Sequence, residues 1–236
     1  MNTSRYYREL AVKDFPSAVR FALNNCAVCR DHPIHQALLN GSLSTTSLQF
    51  FAEQIWHFHC MFPLVLSRLA ESAPSGALRD NLTMLSVAQS PHRLDSPAAL
   101  WQRVCTAVGL SDDRLATSEP ATTTREMVDV QIAAADSPYW AGYLAIAAGV
   151  NGEAAPWSKL RCSALREHFG LDDAQLAYFS GSPGDWHVPS PDVLSSHVQD
   201  HLSPEYRSDA IARLEAVLRA RWEFFTAAGR ADADQR

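Results

Sequence analysis

Lysine is nearly absent from the 236-residue chain: of its 20 basic residues, only Lys13 and Lys159 are lysine. No run of basic residues occurs, and the formal net charge is −6. An electrostatic footprint for nucleic acid is therefore missing, and no nucleic-acid partner is expected. No stretch of 18 apolar residues exists, so no membrane-spanning helix is expected. The first 13 residues lack the apolar segment of a secretory signal. Cysteine is sparse: five scattered residues, an odd number, in a chain too large to need disulfide staples. These features point to a reduced, cytoplasmic setting. Glycine-rich phosphate loops, a P-loop and the G-x-S-x-G nucleophile elbow are also lacking, which removes support for nucleotide-binding and serine-hydrolase readings.

Hydrophobic residues make up 47% and charged residues 19%, the balance of a globular domain. Helical periodicity dominates and no alternating strand pattern of useful length appears. The segment 14–39 carries Phe15, Val19, Phe21, Leu23 and Ala27 and stops at Asn40-Gly41. After the hydroxyls of Ser44 to Ser47, a long helix spans Leu48 to Leu69. Its apolar positions (Phe51, Ile55, Phe58 and Phe62; Phe50, Met61 and Leu64) cover two stripes, as in a central helix. Pro63 is expected to kink it. Further helices are predicted near 76–90, 97–109, 121–136, 138–150, 153–169, 172–180 and 203–228, with Ser190-Pro191-Asp192 as another start signal. The expectation is one all-α domain over 1–236, a bundle of about eight helices, with 1–13 and 229–236 peripheral or frayed.

A bundle of this kind builds its site from polar side chains on facing helices. Glu53 and His57 stand four apart on the central helix and so share one face. A carboxylate beside an imidazole in apolar surroundings suits proton transfer or metal ligation; the plainer alternative is an ion pair that satisfies a half-buried histidine. Glu153 reads either as a first-turn helix acid or as a buried ligand. His197 and His201 have the spacing of half a zinc site but no adjacent glutamate, which leaves a solvated helix face as the plainer alternative. Cys26-Ala27-Val28-Cys29 has no second pair.

Several segments occur in an order that resembles the haem-oxygenase-like superfamily, including its pyrroloquinoline-quinone synthase, thiaminase II and dimetal oxidase branches. They are His32-Pro33-Ile34-His35, Asn40-Gly41, Phe51 to Pro63, and Ser96 to Trp101 followed by Val108-Gly109-Leu110. Glu153 to Pro156, Tyr178-Phe179 and Trp222 to Phe225 continue the series. The resemblance implies an all-α haem-oxygenase-like fold and an enzyme. In the dimetal branch it implies iron, O₂ and an amino-acid-derived substrate. This chain departs from that branch's ligand pattern: residues 85–92 offer only His92, and Pro189 and Pro191 interrupt the closing motif. The ligand types left are His92, Glu153, Asp185 and His187, so an atypical or mononuclear iron site is expected rather than a regular dinuclear one. The metal-free branches imply instead that Glu53 and His57 move protons while Gln54, Trp56, Tyr143 and Trp157 wall the substrate. Biosynthetic oxidation of a small molecule is the leading expectation. A thiaminase-like hydrolase or lyase, and a non-catalytic member that binds a small molecule or a partner enzyme, stand as alternatives. A homodimer is an open assembly.

Overall fold

The computed structural model describes residues 9–26, 31–151, 154–180 and 190–230. Within these the elements are α1 (Phe15–Asn25), α2 (Pro33–Leu39), α3 (Thr45–Glu71), α4 (Gly76–Ala88), α5 (Pro97–Ala107) and α6 (Asp112–Thr117). They continue with α7 (Thr122–Ala135), α8 (Tyr139–Asn151), α9 (Ala154–Phe169), a 3₁₀ turn (Ala177–Ser180), α10 (Pro191–Gln199) and α11 (Pro204–Arg230). No strand occurs among the described residues, as expected, but the elements number twelve rather than about eight.

The extra elements have local causes. The segment 14–39 divides because Pro33 restarts the helix at its first position, where a missing N–H is harmless. His32 caps that start, its Nδ1 accepting from the Ile34 N–H at 3.2 Å. The unanticipated α6 begins at Ser111, whose hydroxyl accepts from Arg114 N at 3.2 Å, and carries Asp112 and Asp113 in its first turn. The predicted helix at 172–180 reduces to the 3₁₀ turn. Residues 9–13 are helical with Ala11 fully buried, and α11 continues to Arg230.

Two helices of 27 residues, α3 and α11, form the frame. Each is about 40 Å long at 1.5 Å per residue. α3 packs against α4, α5, α7 and α11; α11 packs against α7, α8, α1 and α2. α3 runs unbroken through Pro63, whose carbonyl accepts from the Ser86 hydroxyl at 2.8 Å. Its second stripe is less buried than its pattern suggests, with Leu64 half in solvent. Elsewhere the helix buries Leu48, Phe51, Phe58, Phe62, Val65, Leu66 and Leu69.

Glycine matters at two junctions. Gly41 ends α2 at φ 70°, a conformation side chains with a Cβ rarely adopt. Its bare Cα also admits the His168 ring, which donates from Nε2 to Leu39 O at 3.0 Å and fastens α9 to α2. Gly142 lies against the Ala134 carbonyl, so α7 and α8 approach more closely than a Cβ would permit.

Candidate functional site

The face of α3 that bears Glu53, Gln54 and His57 is buried, as its sequence suggests. Glu53 and His57 are not, however, partners of one another. Glu53 Oε1 accepts from Arg114 Nε at 2.9 Å. The His57 Nε2 and Ser118 Oγ atoms share a hydrogen bond of 3.0 Å. Gln54 Oε1 accepts twice, from Ala121 N at 2.8 Å and from Thr124 Oγ1 at 2.6 Å. All three side chains thus hold the segment that carries α6 and the start of α7 against the central helix. Burial lowers the His57 pKa, while the carboxylates of Glu53 and Glu119 oppose the shift. Trp56 is half-buried, its ring edge-on to His57 at 5.0 Å. Arg114, Ser118 and Thr124 were not singled out in the sequence. The signal for them was Ser111-Asp112-Asp113, a helix start that places Arg114 four residues before Ser118.

A second constellation lies deeper, between α2, α3, α5, the 3₁₀ turn, α9 and α11. His35 is 1% exposed and receives Arg161 Nη2 at 3.3 Å on Nε2. A guanidinium can only donate, so Nε2 carries the lone pair and the proton sits on Nδ1. That Nδ1 is buried without a hydrogen-bond partner. An N–H donor is thereby left unsatisfied in the interior, beside a cation. Burial, with Arg161, Arg221 and His32, lowers the His35 pKa to about 2, which keeps the ring neutral. His32 is also neutral: its Nδ1 accepts at the cap, so Nε2 donates to Thr226 Oγ1 at 3.0 Å, and burial lowers its pKa to about 4.

Aromatic rings floor this region. His35 packs edge-on to Phe225 at 4.4 Å and to Phe51 at 6.2 Å. Trp101 meets Phe51 at 6.5 Å and Tyr178 at 4.9 Å, and its indole N–H is anchored to Ala52 O at 2.8 Å. His59 lies against Tyr178 at 5.2 Å and Trp101 at 6.3 Å. Its Nδ1 has no partner, and burial lowers its pKa to about 4. The residue as a whole is half-buried. Arg221 crosses from α11, donating to Gly149 O at 2.6 Å with its guanidinium 5.8 Å from the Phe225 ring centroid. His59 is two residues from His57 and projects about 200° around the helix from it, which separates it from the Glu53 face.

Tyr143 and His92 lie apart from both groups. Tyr143 is half-buried on α8, stacked on Tyr139 at 5.7 Å and edge-on to Trp140 at 6.0 Å. His92 is exposed on the turn after α4. Glu153, Asp185 and His187 lie outside the described residues, as do Cys29 and the side chain of Trp157. Among the described residues no group of three or more His, Cys, Asp or Glu could hold a metal ion. Burial raises the thiol pKa of Cys60 to about 11 and pushes that of Cys105 up further, so both are protonated at neutral pH. No helix among the described residues is long and apolar enough to cross a membrane.

Comparison with known proteins places this geometry in a setting. A model of the TENA/THI-4/PQQC family matches residues 17–150. No curated protein matches. A TenA homologue from Pseudomonas syringae superposes with a TM-score of 0.71 at 12% identity, covering 89% of this chain and 92% of its own. A CADD-like protein of unknown function from Nostoc punctiforme gives 0.67 at 12% identity, with 97% of each chain covered. A domain of unknown function with a haem oxygenase-like fold, from Shewanella denitrificans, gives 0.66 at 9% identity, covering 92% and 90%. The haem-oxygenase-like fold is thus shared.

Proposed function

Because the chain belongs to the TENA/THI-4/PQQC family, we propose that it is an enzyme that oxidises a small, anionic, aromatic metabolite inside the bundle. One observation carries the reading: the unsatisfied, buried Nδ1–H of His35, flanked by the Arg161 guanidinium. A buried donor without an acceptor is costly, by about 1–3 kcal/mol, and a carboxylate oxygen would satisfy it. Arg161 and Arg221 supply the compensating charge. The rings of Phe51, Trp101, Tyr178 and Phe225 offer a planar substrate apolar walls.

In this reading the His35 Nδ1–H holds the substrate carboxylate, which fixes its orientation, while Arg161, bound to the opposite ring nitrogen, acts on it through longer-range charge. His59 is neutral at physiological pH and takes a proton from the bound substrate. Aromatic surroundings suit an apolar co-substrate such as O₂, and the protonated thiols of Cys60 and Cys105 are poor nucleophiles. The overall balance is loss of two electrons and two protons by the substrate and reduction of O₂ to hydrogen peroxide. His92, Glu153, Asp185 and His187 do not form a described metal site, and no step is routed through a metal. Glu53, Gln54 and His57 are assigned to positioning: they hold the 111–124 segment in place.

The test is turnover of a panel of aromatic and heteroaromatic carboxylates, followed by oxygen electrode and peroxide assay. One O₂ consumed and one peroxide formed per substrate is the expected stoichiometry. His59→Gln should lower turnover by about 10²–10⁴-fold with binding retained. Product release without oxygen uptake would assign the chain to the hydrolase or lyase alternative. Binding without turnover would make it a binding protein.

A further inference from the structure

The face formed by α8 and α10 carries a constellation separate from the His35 and His59 cluster. His197 lies in the last turn of α10, and His201 follows in the turn that closes it. Backbone bonds hold this stretch in near-helical register: Asp200 N to His197 O at 3.3 Å and His201 N to Val198 O at 3.0 Å. Side chains four apart on a helix meet on one face. Both rings are exposed, and their centroids are 5.0 Å apart with planes inclined by 71°.

That spacing fits a shared metal ion. A metal–nitrogen bond of about 2.0–2.1 Å places each imidazole centroid about 3.2 Å from the ion. Two such rings subtending about 100° at the metal then stand about 4.9 Å apart, within 0.1 Å or so of the separation found here. A second observation concerns orientation. Trp140, from α8, stacks flat on His201 at 4.3 Å with planes inclined by 10°, and meets His197 edge-on at 5.1 Å. The indole braces both rings, so little rotamer freedom is left to lose on binding. No hydrogen bond with a described residue engages any of their ring nitrogens.

We propose that His197 and His201 form a two-point chelate for a divalent first-row transition metal ion, with Trp140 as its brace. Imidazole pairs suit copper, nickel and zinc, and affinity is expected to follow copper over nickel and zinc. Among the described residues no third His, Cys, Asp or Glu joins the pair. The net charge of −6 favours cation approach.

The experiment is calorimetric titration of the untagged, full-length protein with nickel(II). One saturable site per chain is expected. His197→Ala and His201→Ala should each weaken it by about tenfold or more, and each should fold normally because both rings are exposed. If an alanine variant misfolds, the corresponding glutamine variant replaces it. His92→Ala, which removes an exposed histidine elsewhere, should leave binding unchanged. Copper(II) should quench tryptophan emission, and Trp140→Phe should reduce the quenched fraction. Absence of saturable binding, binding that survives loss of either histidine, or binding lost with His92 would overturn the assignment.

Discussion

Replacing Gln54 by leucine separates a structural tether from a substrate contact. Gln54 is 2% exposed, and its single Oε1 atom satisfies two donors, the Ala121 N–H and the Thr124 hydroxyl. Leucine has similar volume, so the change removes acceptance without opening a large void. Each buried donor left without an acceptor costs about 1–3 kcal/mol. Thr124 is fully buried and turns away from solvent, so neither donor regains water readily. The sum is about 2–6 kcal/mol, which lowers Tm by about 4–24 °C in a domain of this size. Calorimetry and guanidinium unfolding measure the loss, and faster amide exchange at Ala121 localises it. Thr124→Val in the leucine background supplies a double-mutant cycle, with a coupling of about 1 kcal/mol or more expected. A Tm drop under about 2 °C, or additive effects, would refute the tether and return Gln54 to the pool of residues free to bind substrate.

Three further outcomes are expected. Arg114→Ala leaves the buried Glu53 carboxylate without its guanidinium. Because the Arg114 side chain is 56% exposed, the loss should be moderate, about 1–3 kcal/mol in chemical unfolding. Stability should fall on acidification. His35 and His59 have folded pKa values of about 2 and about 4 against 6.5 unfolded, so the unfolded chain binds protons first as pH drops. Their contribution is complete above about pH 6.5 and declines from there toward pH 4, by on the order of 3 kcal/mol for His59; a flat pH–Tm profile in that window would contradict the neutral assignment. Gly142→Ala should destabilise by about 1–3 kcal/mol because its Cβ would strike the Ala134 backbone carbonyl, which cannot rotate aside. A Tm equal to wild type would mean that α7 and α8 can separate freely.

The helices were legible because apolar periodicity and cap residues act locally. Ser44, Ser96 and Pro191 announce their helix starts, and Asn40-Gly41 announces a stop. The division between α1 and α2 was legible in principle from Pro33 but was overridden by the apolar run on either side of it. The site was harder to read. Glu53 and His57 were correctly placed on a buried face, yet sequence spacing shows only what shares a helix face, not what arrives from elsewhere. Arg114 and Ser118 come from a helix some sixty residues away in sequence. His59 was visible in the same stretch as His57, but its importance depends on Trp101 and Tyr178, which tertiary packing alone brings to it. Arg161 and His35 are separated by 126 positions, and no local pattern joins them.

The most direct test is a nitrogen-detected histidine titration of the protein, with His35→Gln used to assign the His35 ring. His35 should be neutral from pH 8 down to about pH 4.5, with its proton on Nδ1 and a lone pair on Nε2. Addition of benzoate, a minimal aromatic carboxylate, should shift the Nδ1–H resonance, and Arg161→Gln should weaken that response by about tenfold or more. A His35 ring that protonates near pH 6.5, that carries its proton on Nε2, or that ignores benzoate at saturating concentration would contradict the proposed carboxylate site.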